Sequence, residues 1–91
     1  MDLYPTLTRL FLLRGIRDGK VTEEWFNDIP GTVWLDEYPG RRTRVTGKVD
    51  EMKRADWCET HPDDEDMHIR GIRLKPDGEA VLAEHAQKVE G

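Results

Sequence analysis

The sequence predicts a small α/β domain of the α+β kind, and three observations carry that expectation. Apolar residues recur at helical spacing near the start, through the centre and near the end of the chain. Between the central and final stretches lie two strand-like runs, beginning at Trp57 and at Met67, joined across the turn-forming phrase His61-Pro62-Asp63-Asp64. Ninety-one residues, 36% of them hydrophobic, make one domain over residues 1–91, with a thin core. Trp25, Trp34, Trp57, Phe11 and Phe26 are expected to supply much of that core.

The elements follow in order. Residues 5–18 place Leu7, Leu10, Phe11 and Ile16 on one helical face, with Pro5 suited to the first turn and Asp18-Gly19 ending the helix. Lys20-Val21 suits a very short strand. Thr22 then suits the N-cap of a short helix through Glu23, Glu24, Trp25 and Phe26, stopped by Pro30-Gly31. Residues 30–40 are bracketed by two Pro-Gly pairs, and strand, irregular loop and helical turn all remain open there. Residues 41–55 read as helix, with Val45, Val49 and Met52 in one buried stripe and Arg44, Lys48 and Glu51 on another face.

Trp57 and Cys58 start a strand. In the return strand Met67 and Ile69 share one parity, and Ile72 and Leu74 the other. A bulge at or beside Gly71 would put all four on the core face and leave His68, Arg70 and Arg73 outside. A final helix opens at Pro76-Asp77-Gly78, with Val81, Leu82, Ala86 and Val89 along one side and His85 in the same seam.

From Thr43 onward the residues resemble those of winged-helix transcription regulators of the MarR- and PadR-like kinds. Asp50-Glu51-Met52-Lys53-Arg54-Ala55-Asp56-Trp57-Cys58 is similar to the phrase that ends their recognition helix. Ile72-Arg73-Leu74-Lys75-Pro76-Asp77-Gly78-Glu79-Ala80-Val81-Leu82 is similar to the phrase leading from their hairpin into the next helix. The resemblance implies a small winged helix: three helices, a β-hairpin wing and a C-terminal helix. It also implies a recognition helix in the major groove of double-stranded DNA, and a homodimer through the terminal helices presenting two such helices to a palindromic site.

Charge distribution says more than the net charge of -5. Residues 41–54 hold Arg41, Arg42, Arg44, Lys48, Lys53 and Arg54 against Asp50 and Glu51, a local net of +4. Residues 55–68 hold Asp56, Glu59, Asp63, Asp64, Glu65 and Asp66 with no Lys or Arg, a local net of -6. The candidate nucleic-acid contacts are Arg41, Arg42, Thr43, Arg44, Thr46 and Lys48, because the planar fork of Arg matches guanine and phosphate acceptors. The competing reading is a solvated face that balances the acidic half. A second candidate surface is the acidic turn Asp63, Asp64, Glu65 and Asp66, as the contact of a winged-helix module that modulates a partner protein.

Other chemistries find less support. Cys58, His61 and His68 with an Asp make an incomplete zinc set, since only one Cys is present and free Cys generally faces a core. The acidic run lacks the alternation and glycine of a calcium loop. No Gly-rich phosphate loop or nucleophile elbow is present, so neither an enzyme nor a cofactor is expected. The longest apolar run is residues 10–13, no basic region followed by a long apolar stretch opens the chain, and Cys58 is the single cysteine. Those features predict a cytoplasmic protein without membrane association.

Overall fold

The computed structural model describes residues 3–85. Helix α1 (Leu7–Arg17) is followed by strands β1 (Val21–Phe26), β2 (Ile29–Tyr38) and β3 (Arg41–Arg44). Helix α2 (Thr46–Arg54), strand β4 (Cys58–Thr60), a 3-10 turn (Pro62–Asp64), strand β5 (Ile69–Leu74) and helix α3 (Pro76–Glu84) complete the order. The class is α+β, as expected. The five strands form one antiparallel sheet in the order β3-β2-β1-β5-β4.

Local chemistry explains the first helix. The Thr6 hydroxyl accepts from the Arg9 N–H at 3.3 Å, so Thr6 is the N-cap and Pro5 lies just outside. Arg14 and Arg17 complement the dipole in the last turn, and Gly19 at φ 74 carries the chain away. The face of α1 differs in part from expectation: Leu10, Leu12, Leu13 and Ile16 are buried, whereas Leu7 and Phe11 are about half exposed.

The expected helix beginning at Thr22 is instead strand. β1 alternates Val21, Glu23 and Trp25 inward against Thr22, Glu24 and Phe26 outward. Asn27 at φ 50 and Asp28 at φ 66 then form the two-residue left-handed turn that matches the twist of a hairpin. A carboxylate at the central inward position hides the period of two from the sequence, and the intrinsic preference of Glu for helix adds to the deception. Residues 30–40, open between three readings, belong chiefly to β2, with a turn at Pro39-Gly40.

Helix α1 packs against β1, β5 and α3, while α2 reaches β2 and β4. One apolar cluster results, made of Leu10, Leu12, Leu13, Ile16, Val21, Val33, Val45, Val49, Met52, Trp57, Cys58, Ile72 and Leu82. The core is therefore largely aliphatic, in contrast to the aromatic core expected. Of the five aromatic residues named above, only Trp57 is buried, while Phe11 and Phe26 are among the exposed side chains.

The bulge expected beside Gly71 is absent, since β5 keeps a constant register against both β1 and β4. Arg70, Ile72 and Leu74 point inward, and Ile69 is 44% exposed. Arg70 tolerates burial because its guanidinium lies 3.9 Å from the Trp25 ring centroid and its Nε donates to the Met67 carbonyl at 2.9 Å. Gly78 lets α3 approach closely: a β-carbon there would lie 2.8 Å from the Trp57 carbonyl carbon. Of the expected final stripe, Leu82 is buried and Val81 partly so, whereas Ala86 and Val89 lie outside the described residues. No helix among the described residues is long and apolar enough to cross a membrane.

Candidate nucleic-acid interface

The basic stretch opens as a strand. Gly40 at φ 87 closes the turn after β2, and β3 pairs antiparallel with it, Trp34 opposite Arg44, Leu35 opposite Thr43 and Asp36 opposite Arg42. Alternation along β3 puts Arg42 and Arg44 on the sheet face away from the helices, where Trp34 also lies. The Arg42 guanidinium sits 4.4 Å from a Trp34 ring centroid, and that of Arg44 5.7 Å. Arg42 also faces Asp36 at 3.6 Å and Glu24 at 3.8 Å, and the Trp34 indole N–H donates to Glu24. Arg41, beside the turn, pairs with Glu37 at 2.7 Å.

Helix α2 starts where β3 ends and is fastened to β2. The Val45 N–H donates to the Val33 carbonyl at 2.9 Å, and the Thr46 hydroxyl accepts from the Val33 N–H at 3.0 Å. Thr46 is thus engaged in structure, and Thr43 is only partly exposed. Arg44 and Lys48 have no carboxylate partner within ion-pair distance among the described residues. Both border a groove of about 790 Å³ between α1, the β2–β3 hairpin and the start of α2, with Phe11, Leu12, Leu35 and Val45 among its walls.

These positions correct the expected recognition helix over residues 41–55. Arg41, Arg42, Thr43 and Arg44 lie on an edge strand, and only Thr46 and Lys48 of the six candidates lie on a helix. Cross-strand pairing with Trp34, Leu35 and Asp36 outweighs helix formation, and Val45, Thr46 and Gly47 are poor helix formers. The basic block is divided as well. Lys53 turns inward, its Nζ 2.7 Å from Glu23 Oε2 and 3.1 Å from the Thr60 hydroxyl oxygen.

Glu23, read from the sequence as helix-start charge, anchors a buried polar network. It is 1% exposed and accepts from Lys53, from Trp25 Nε1 at 2.8 Å and from the Thr60 hydroxyl at 2.6 Å. Burial pushes this carboxyl upward. The hydrogen bonds from Lys53, Thr60 and Trp25, with the Lys53 charge, outweigh burial and hold it below the ordinary 4.5. Nearby Cys58 is buried as expected, and burial raises its thiol to about 12.

The acidic turn is partly internal to the fold. Asp64 Oδ2 accepts from the Gly71 N–H at 2.8 Å, and His61 Nδ1 accepts from the Asp63 N–H at 3.2 Å. His68 packs edge-on against Phe26 at 4.9 Å. Cys58, His61 and His68 do not converge, and no group of three metal-ligating side chains comes together among the described residues. Comparison with protein-family models, curated proteins and solved structures finds no match to the chain.

Proposed function

We propose that this chain is a small DNA-binding regulator whose contact surface is the β2–β3 ribbon and the first turn of α2. The observation that carries the reading is the projection of Arg41, Arg42 and Arg44 from one edge strand, with Lys48 close behind in sequence at the start of α2. A two-stranded ribbon fits the major groove as a helix does. The ion pairs of Arg42 to Asp36 and Glu24 are long, at 3.6 and 3.8 Å, on a half-exposed side chain. Exchange of such pairs for phosphate costs little. Thr43 and Thr46 drop out of the contact set, for the structural reasons given above.

The order helix, strand, turn, strand, helix from α2 to α3 supports kinship with winged-helix regulators in the second half, with β4 and β5 as the wing. Half-exposed Leu7 and Phe11 on α1 support pairing of two copies through the terminal helices, which sedimentation equilibrium checks. The test of the main reading is a polarisation titration with mixed-sequence duplex DNA at two salt concentrations. The variant R41Q/R42Q/R44Q should bind more weakly, with the log–log salt slope reduced by about 0.9 per lost phosphate contact. Unchanged affinity in that variant, or no binding by the wild type at low salt, overturns the reading.

A further inference from the structure

The strand β2 sets two hairpin turns at opposite ends of the molecule. Pro39-Gly40 lies beside the arginines, whereas Asn27-Asp28 lies at the far end, separated by the ten residues of β2. At about 3.3 Å per residue that is roughly 30 Å. Around the far turn the fold leaves four apolar side chains outside: Phe26 (53% exposed), Ile29 (66%), Met67 (56%) and Ile69 (44%).

They are neighbours. Phe26 pairs with Ile29 across the hairpin, Ile69 stands opposite Glu24 on the next strand, and the Phe26 ring touches His68, which lies between Met67 and Ile69 in the chain. Exposed apolar residues scattered singly need no explanation, but a contiguous group at one end does.

The rim of this group is acidic. Asp28 sits in the hairpin turn, Glu65 and Asp66 lead into Met67, and residues 55–68 contain no Lys or Arg. Arg70, the nearest arginine in β5, is turned to the opposite face against Trp25. A second copy docking here would set Asp28, Glu65 and Asp66 against their own equivalents, a like-charge juxtaposition that disfavours self-pairing.

We infer that the Phe26, Ile29, Met67 and Ile69 patch docks a protein partner whose contact face is an apolar knob ringed by Lys or Arg. The surface goes beyond the acidic turn itself, since Asp64 is spent on Gly71 and the apolar anchors come from β1, β2 and the start of β5. It does not depend on the DNA reading, although Arg42 of that reading reaches the near side of the patch through Glu24, which stands opposite Ile69. A bound partner contributes apolar contact to four side chains and finds the acidic rim already in place.

The probe is a synthetic amphipathic helix with one leucine face and lysine elsewhere, titrated into the isotope-labelled full chain and read by methyl and amide shifts. Shifts should centre on Ile29, Met67, Ile69 and Phe26. F26S/I69S, at exposed positions, should keep the wild-type circular dichroism spectrum yet lose at least about tenfold in affinity, as expected for anchoring side chains. D28N/D66N should weaken binding and flatten its salt dependence. Equal binding of a peptide with Ser for Leu, or shifts centred elsewhere, overturns the inference. So does concentration dependence of the same methyl signals without peptide, which would give the patch to a second copy.

Discussion

Removing the Glu23 carboxylate should be the most damaging single change to the sheet. Glu23→Ala strands three donors at once: the Lys53 ammonium at 2.7 Å, the Trp25 indole at 2.8 Å and the Thr60 hydroxyl at 2.6 Å. Breaking a buried pair by deleting one partner costs about 3–5 kcal/mol, because the other charge is left uncompensated. The Lys53 side chain is 24% exposed and reaches water, so the lower end, about 3 kcal/mol, applies here. A domain of this size has roughly 5–14 kcal/mol in total. Glu23→Gln keeps the shape and should cost about 2 kcal/mol, the loss of charge-assisted hydrogen bonds. Ambiguity from outright unfolding is avoided by E23L/K53M, which removes both charges and should recover much of the deficit. The folded carboxyl titrates below the unfolded one, so its stabilisation is complete above pH 4.5 and declines as pH falls through the folded value. Urea unfolding at pH 7 and in acid measures all of this. A cost below about 1 kcal/mol for Glu23→Ala, the range of a surface pair, refutes the reasoning.

Three further predictions concern other elements. Gly78→Ala drives a methyl group into the Trp57 backbone and should cost about 1–3 kcal/mol by urea unfolding, whereas Gly47→Ala enters open space on α2 and should stabilise by about 0.5–1 kcal/mol. Cys58 should react with a thiol reagent only as fast as the chain opens, since burial excludes the reagent and holds the thiol near 12; rapid native-state labelling at pH 8 would contradict its position. Replacing Asp63, Glu65 and Asp66 with Asn or Gln should raise non-specific DNA affinity at low salt, because like-charge repulsion of phosphate falls; an unchanged polarisation titration would show that the turn stands too far from the duplex to matter.

The helical ends of this fold were legible because their apolar spacing and stops agree, as in Leu10 and Ile16 before Asp18-Gly19, although Leu7 and Phe11, set on the same face, are half exposed. Val49 and Met52 likewise marked the buried side of α2. The strands were obscured by what they bury. Glu23 and Arg70 occupy inward positions where an apolar residue would announce the period of two, and each is accommodated by a partner distant in sequence, Lys53 or Trp25. The basic candidates were found by charge alone, but their geometry was not, because pairing of Arg42 with Asp36 across β2 and β3 is a tertiary fact. The Trp34 platform had no local signal at all. Asn27-Asp28 did carry one, as residues tolerant of left-handed backbone between two apolar runs.

The sheet also has two edges that no strand among the described residues pairs with. Its two outermost strands, β3 and β4, are four and three residues long. An unpaired strand edge is a template for another chain, and short length and charge are the usual defences. β3 has both, with three arginines among its four residues. The residues offered above to DNA therefore also keep the molecule from adding strands to itself, and neutralising them exposes an edge prone to aggregation whatever happens to binding. Light scattering beside every titration of such variants separates the two roles, and crowded solutions without nucleic acid should reveal the protective one first.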